Sequence, residues 1–402
     1  MKDGDTGMGA NFRFVHCADL HLGSRFRGVS EADPASAERM RDSVFESFSR
    51  IVDRALESKA DAMFIAGDAF DEGTITPKTR MFLAEELGRL GIPVFMAKGN
   101  HDPWTSWESS IPFPENVHVF GSEPEKLEIP GVEGAEAVGV SFANWHEERN
   151  LPSMLSGTPG KFSVACVHCD VDRATPDYDY APCSLSDLKG RGIDYWAIGH
   201  IHKRSVLCTD PWVVYPGNIQ GRSFKECGEK GAYLVDVKDG RVSEAKFFPT
   251  QGIVWYDEVF DVTGRTFYEV LDEMKRSIMP GSIARLTFVG SGEMDGMLRR
   301  DLRSVSNMLG SQLKATVSEI DVQTAPAVDI DARRSGNDMA GTLIRAADSI
   351  KASGREKILG IIASNPLMKE HMSLFGCMDD EKLCELVDES LGDILSRMEG
   401  AR

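Results

Sequence analysis

Between residues 12 and 102 the chain repeats one pattern: a short apolar run stops abruptly in a cluster of Gly, Asp, Asn and His. FRFVHCADLHLG, ADAMFIAGDAFDEG and IPVFMAKGNHD each begin as an apolar, strand-like run and end in such a cluster. Residues 35–58 separate the first two runs and carry Met40, Val44, Phe48, Ile51, Val52 and Ala55 at helical spacing. Residues 76–90 separate the second and third and read as a helix with Pro77 at an early position. Strands joined by crossover helices predict an α/β fold with a mostly parallel sheet covered on both faces.

The pattern continues further along. Residues 117–140 read as short strands rich in turns. KFSVACVHCD and GIDYWAIGHIH are again buried strands that end in polar clusters, and WVVYPGNIQGRS and GAYLVDV close the layer. This predicts one domain over 12–250. Residues 254–324 alternate strand and helix, with a single helix expected over 294–310, and read as a small α/β cap domain. Residues 325–338 read as a polar linker and 339–402 as a helical C-terminal segment. The first eleven residues are polar and Gly-rich and are expected to be a disordered leader.

With 402 residues and 42% hydrophobic residues, the chain can bury more than one core. Its net charge of -18 argues against a protein that wraps nucleic acid on its own surface. It does not argue against an enzyme that meets phosphates through cations, which reverse the local field. No apolar run approaches the roughly 20 residues of a membrane span, so no membrane partner is expected. The cytoplasm follows by default. Eight cysteines form no regular framework; Cys166 and Cys169 have the CxxC spacing of a zinc site, but buried thiols are the favoured reading.

The polar clusters fall where open α/β sheets place their ligands, after the carboxyl ends of strands. Asp19 and His21 follow the first run, Asp68 and Asp71 the second, and Asn100, His101 and Asp102 the third. His168 follows a later strand, and His200 and His202 the next. Each cluster alone is a common surface motif. Five in order, each after a strand, point to a dinuclear metal site. Phosphoester cleavage needs neutralised phosphate oxygens and an activated water, and two metals about 3.5–4 Å apart supply both. Asp68 is the natural bridging carboxylate. Imidazole, carboxylate and amide donors suit Mn²⁺, Fe or Zn²⁺. Gly67, Gly99 and Gly199 permit close backbone approach.

The run D-x-H, G-D-x-x-D, G-N-H-D, H and G-H-x-H resembles the calcineurin-like metallophosphoesterases. GDAFD, GNHD, GHIH and YPGNIQGRSFKECGEKGAYLV are more similar to the DNA-repair exonuclease branch, the SbcD and YhaO type. The resemblance implies a metallophosphoesterase β-sandwich flanked by helices. It implies that Asp19, His21, Asp68 and His202 hold one metal, and that Asp68, Asn100, His168 and His200 hold the other. His101 would lie over the scissile phosphate without ligating metal, and Asp102 would orient it. It further implies two divalent ions, expected to be Mn²⁺, a DNA substrate, a homodimer, and a coiled-coil ATPase partner of the SbcC or YhaN type. The chain carries no Walker A sequence, so ATP use would come from that partner. The C-terminal helices are the candidate docking element, or else a cap on the small domain. A small-molecule phosphodiesterase or phosphomonoesterase is the alternative function.

Secondary candidates are open between two readings. Asp71 supports the metal site or simply closes a turn. Trp104 and Trp107 stack on a base or pack their loop. Arg25, Arg27, Lys203, Arg204, Arg222 and Lys225 form a basic rim or are ordinary solvated charges. Gly217, Asn218 and Arg222 belong to a loop that could line the site. His16 reads as a core residue, and His118, His146 and His371 stand apart from the motifs.

Overall fold

The structure, a computed structural model, describes residues 9–24, 34–71, 75–102, 111–172, 180–327, 330–369 and 371–400. Trp104, Trp107, Arg25, Arg27 and most of the expected leader lie outside the described residues. The chain divides into two compact units, Met1–Trp255 and Tyr256–Arg402.

In chain order the first unit contains β1 (Phe12–Cys17), α1 (Pro34–Glu57), β2 (Ala62–Ala66), α2 (Pro77–Leu90), β3 (Val94–Ala97) and β4 (Val117–Val119). There follow β5 (Glu125–Glu128), β6 (Ala135–Val140), β7 (Phe162–His168), β8 (Asp170–Val171), β9 (Pro182–Cys183) and β10 (Tyr195–Gly199). The unit closes with β11 (Ser205–Thr209), β12 (Trp212–Tyr215), β13 (Gly231–Lys238) and β14 (Arg241–Pro249). One six-stranded sheet has the order β14-β13-β1-β2-β3-β4, and the other β11-β12-β10-β7-β6-β5. Strands β1 to β4 pair in parallel, as the strand–helix alternation predicts. The sheet is mixed rather than parallel throughout, because β13 pairs antiparallel with β1 and β14 antiparallel with β13.

The two sheets form a sandwich, and alternation along each strand explains it. In β1, Phe12 and Phe14 enter the core between the sheets, with Phe64, Phe95, Phe120, Val164, Tyr195 and Val214. Val15 and Cys17 enter a second core with Val44, Phe48 and Ile51 of α1 and Leu83 and Leu87 of α2. β1 to β3 are therefore apolar on both faces and read as continuous runs. On the second sheet's outer face Val167, Cys169, Trp196 and Ile198 form a third core. Cys166 belongs to the core between the sheets, so the CxxC pair faces two different cores and holds no common metal. α2 starts at its expected proline: the Thr76 side chain accepts a hydrogen bond from the Thr79 amide.

In the second unit β15 (Trp255–Asp261), β16 (Ile283–Gly292) and β17 (Thr316–Pro326) form a three-stranded sheet. α3 (Phe267–Ser277), α4 (Met294–Arg300) and α5 (Leu302–Leu313) bury Val270, Leu271, Leu298, Val305 and Leu309 against Leu286 and Phe288. The single helix expected over 294–310 is two, because Asp301 leaves helical geometry and its side chain caps α5 at the Ser304 amide. The expected linker is partly structured: β17 runs to Pro326, and α6 (Ile330–Arg333) follows. Beyond it lie α7 (Met339–Ala352), α8 (Arg355–Ser364), α9 (Pro366–Lys369), α10 (Met372–Gly376) and α11 (Asp380–Gly400). α7 and α11 pack through Ala340, Ile344, Ala347, Leu391 and Leu395. These helices share one unit with the sheet. Among the described residues, no helix is long and apolar enough to cross a membrane.

Candidate metal centre

The loops after β1, β2, β3, β7 and β10 are stitched together by hydrogen bonds from their backbone amides. The Asp19 amide donates to Gly67 O, and the His21 amide donates to Asp68 O, both at 3.0 Å. The His101 amide donates to Asp68 Oδ1 at 2.9 Å, and the Cys169 amide to Gly199 O at 3.3 Å. The His200 amide donates to the Asp19 carboxylate at 3.1 Å. Five separate stretches of sequence are thereby fixed around one point.

The backbone is strained where these side chains converge. Asp19, His21, Asp68 and His200 have φ of 51°, 47°, 52° and 111°, all in the left-handed region. Such conformations cost of order 1–3 kcal/mol each and persist where the surroundings enforce them. Two glycines leave the room required. A Cβ at Gly99 would lie 2.3 Å from Asp68 Oδ1, and one at Gly67 would lie 2.3 Å from His168 Nδ1.

Asp68 is the hub. Its Oδ2 is 3.5 Å from His168 Nε2 and 3.9 Å from His21 Nε2. On one side His21 Nε2 is 3.0 Å from His202 Nε2, with Asp19 beside both. On the other, His168 Nε2 is 3.0 Å from Asn100 Oδ1. The His200 ring packs against that of His168, with centroids 5.2 Å apart. The expected ligand residues are thus gathered about one carboxylate, within two adjoining groups.

The donor chemistry fits cations. His168 Nδ1 lies 3.0 Å from Ala66 O, which assigns the ring proton there and leaves the Nε2 lone pair facing Asp68 and Asn100. His202 Nδ1 lies 2.7 Å from Glu226 Oε1, which likewise leaves its Nε2 lone pair facing His21. Burial pushes the His21 imidazole down to about 3, with Arg222 adding to the effect, so that ring is neutral. The buried His21 Nδ1 has no hydrogen-bond partner, and Asp71 at 3.8 Å is beyond reach. Burial also raises the Asp19 carboxyl. The neutral His21 imidazole, set against His202 beside the buried Asp19 carboxyl, belongs to a group of side chains that could hold a cation.

His101 is different. Its side chain is 43% exposed, and its Nδ1 is 3.0 Å from Asp71 Oδ1. That bond pushes the imidazole up to about 9, with Asp68 contributing as well. Asp102, expected to orient His101, has another task. Its buried carboxylate accepts from the Gly99 amide at 2.9 Å and the Phe70 amide at 3.0 Å, tying the β3 loop to the β2 loop. Burial, reinforced by the nearby Asp68, raises its carboxyl to about 7. The reason is geometric: Asp102 turns back into its own tight loop, and Asp71 reaches His101 from the neighbouring one.

Two contributors, Glu226 and Lys230, escape a reading based on strand-end clusters, and Arg222 of the loop before β13 joins them. Glu226 accepts from the Asn218 Nδ2 at 3.0 Å and the Arg222 amide at 2.7 Å, besides holding His202. Several donors hold its carboxyl well below the usual range against the cost of burial. The Arg222 guanidinium spans Glu226 at 3.1 Å and Asp71 at 3.9 Å, so it braces the site rather than forming a basic rim. Buried Lys230 donates to His202 O at 2.9 Å. Lys203, Arg204 and Lys225 are exposed, and Arg204 lies 3.8 Å from the Phe247 ring centroid.

The calcineurin-like phosphoesterase family matches residues 12–204. The metallophosphoesterase YhaO of Bacillus subtilis (strain 168) is 37% identical over 258 residues, covering 62% of this chain and 63% of its own length. The DNA double-strand break repair protein Mre11 of Aeropyrum pernix is 30% identical over 243 residues, covering 55% and 57%. Mre11 of Saccharolobus solfataricus is 28% identical over 245 residues, covering 56% and 60%. The chain spans about three fifths of the length of these curated relatives. Residues 12–204, which carry every cluster from Asp19 to His202, therefore form a calcineurin-like phosphoesterase domain.

Proposed function

We propose that the chain is a two-metal nuclease subunit that hydrolyses phosphodiester bonds in DNA. The observation that carries the reading is Asp68 between two groups of imidazole donors, with His168 at 3.5 Å on one side and His21 at 3.9 Å on the other. Asp19, His21, Asp68 and His202 would hold one ion, and Asp68, Asn100, His168 and His200 the other. When bound, such ions neutralise phosphate oxygens and activate water. The mixed nitrogen and oxygen donors suit Mn²⁺.

The remaining chemistry belongs to the chain. His101, half-exposed and protonated at neutral pH, meets the phosphate and can give its proton from Nε2 to the leaving oxygen, while Asp71 holds Nδ1. Glu226 fixes the ring of His202, and Asp102 fixes the loop that carries Asn100 and His101. His101→Ala should keep its metal and lose cleavage by about 10²–10⁴-fold. Full nuclease activity in that variant would refute the role of His101.

DNA as substrate is supported by the likeness to proteins named for DNA double-strand break repair. Cytoplasmic residence, a homodimer and an SbcC- or YhaN-like ATPase partner belong to the same proposal, with the helices after Asp338 as the docking element. Co-purification with that ATPase should be lost on truncation after Asp338; undiminished binding would remove the helices from the proposal. The substrate assignment is tested with Mn²⁺ on linear DNA, cyclic nucleotides and an aryl phosphodiester. Turnover of the small substrates alone would replace the nuclease by a small-molecule phosphodiesterase.

A further inference from the structure

A row of rings leads from the metal centre to the surface of the first unit. The His200 ring, 5.2 Å from that of His168, is 4.9 Å from the Tyr180 ring. Tyr180 is 6.5 Å from His146, and His146 is 5.4 Å from Trp145. Trp145 ends the row, 62% exposed.

This exposed tryptophan stands on a rigid base. Between His146 and Glu148, the buried Glu147 carboxylate accepts from the Ala143 amide at 3.3 Å and from Arg149 Nε at 2.9 Å. The Glu147 carbonyl accepts from the Ala181 amide at 2.6 Å, beside the bridge between Glu147 and Tyr180. The segments carrying Trp145 and Tyr180 are therefore bonded to each other. Trp145 thus presents most of its ring to solvent from a pinned backbone, with His146 beside it. A pre-positioned aromatic face within a few ring contacts of a phosphoester centre matches one ligand group well, the flat face of a nucleobase. Aromatic stacking tolerates any base and needs no basic surface, as befits a chain with a net charge of -18.

We propose that Trp145, backed by His146 and Tyr180, is a stacking platform for an unpaired nucleobase of the strand whose phosphate occupies the metal centre. The proposal rests on the nuclease reading and deepens it. Bases inside a duplex are already stacked, so the platform selects frayed ends or single strands.

The test compares hydrolysis of oligothymidylate and of an abasic oligomer of equal length by the full chain with Mn²⁺. The wild type should favour oligothymidylate in kcat/KM, chiefly through KM, by about 5- to 100-fold, the range that stacking of one base supplies. Trp145→Ala should lose that preference and Trp145→Phe should keep most of it. Metal content equal to that of the wild type establishes that the variants are folded. A wild type without the preference, or a Trp145→Ala variant that retains it, overturns the proposal alone. A wild type that cleaves neither oligomer yet hydrolyses an aryl phosphodiester overturns the nuclease reading beneath it.

Discussion

His101 carries its proton at neutral pH because Asp71 Oδ1 lies 3.0 Å from its Nδ1. The protonated form predominates below about 9 and is lost as pH rises through that value. If this form delivers the proton, activity falls on the alkaline side there. Asp71→Asn removes the anion, and the imidazole returns toward its ordinary value near 6.5. At pH 8 the protonated fraction then drops by roughly 30-fold, and the alkaline limb of kcat/KM shifts to lower pH. An unshifted limb would show that another group titrates. Glu226→Gln should lower metal affinity by about 10- to 100-fold, read by titration with Mn²⁺, because the ring of His202 loses its carboxylate anchor. At this scale the sequence displays the residues gathered round Asp68, since each follows an apolar run. It misassigns the partner of His101, because proximity in sequence favours Asp102 while the fold delivers Asp71 from another loop. Glu226 and Lys230 follow no strand end, and only the path of the loop before β13 brings them to His202.

Elements place the residues, and their ends are the sensitive points. Gly99 follows β3 where a Cβ would lie 2.3 Å from Asp68 Oδ1 and 2.9 Å from the His168 ring. Gly99→Ala should displace the hub carboxylate and abolish metal binding while circular dichroism stays native; retained binding would show that the loop can give way. α2 offers a contrast far from the chemistry. Thr76→Ala removes the side-chain cap on the Thr79 amide and should cost about 1 kcal/mol, seen as a lower urea midpoint at unchanged slope. The start of α2 is readable because Thr and Pro mark it directly. The break between α4 and α5 is harder to read, since the apolar spacing runs on through Asp301 and only its cap to Ser304 divides the helices. The antiparallel closure by β13 and β14 is also hidden, because a parallel and an antiparallel buried strand share one apolar pattern.

On the scale of the whole molecule, the net charge of -18 includes carboxylates gathered at one buried point. Asp19, Asp68 and Asp102 lie within connected loops, and burial raises the first and last. Cations held at this point would bind the folded chain and not the unfolded one, so chelation should lower the melting temperature of the first unit. Saturation at 100 times the dissociation constant contributes about 2.7 kcal/mol. The measurement that tests the central claim most directly is the metal content of the purified chain and of Asp68→Asn. Two divalent ions per chain, both lost in Asp68→Asn, are predicted from the position of Asp68 between His21 and His168. A single ion in the wild type, or two retained in Asp68→Asn, would contradict a dinuclear centre built on that carboxylate.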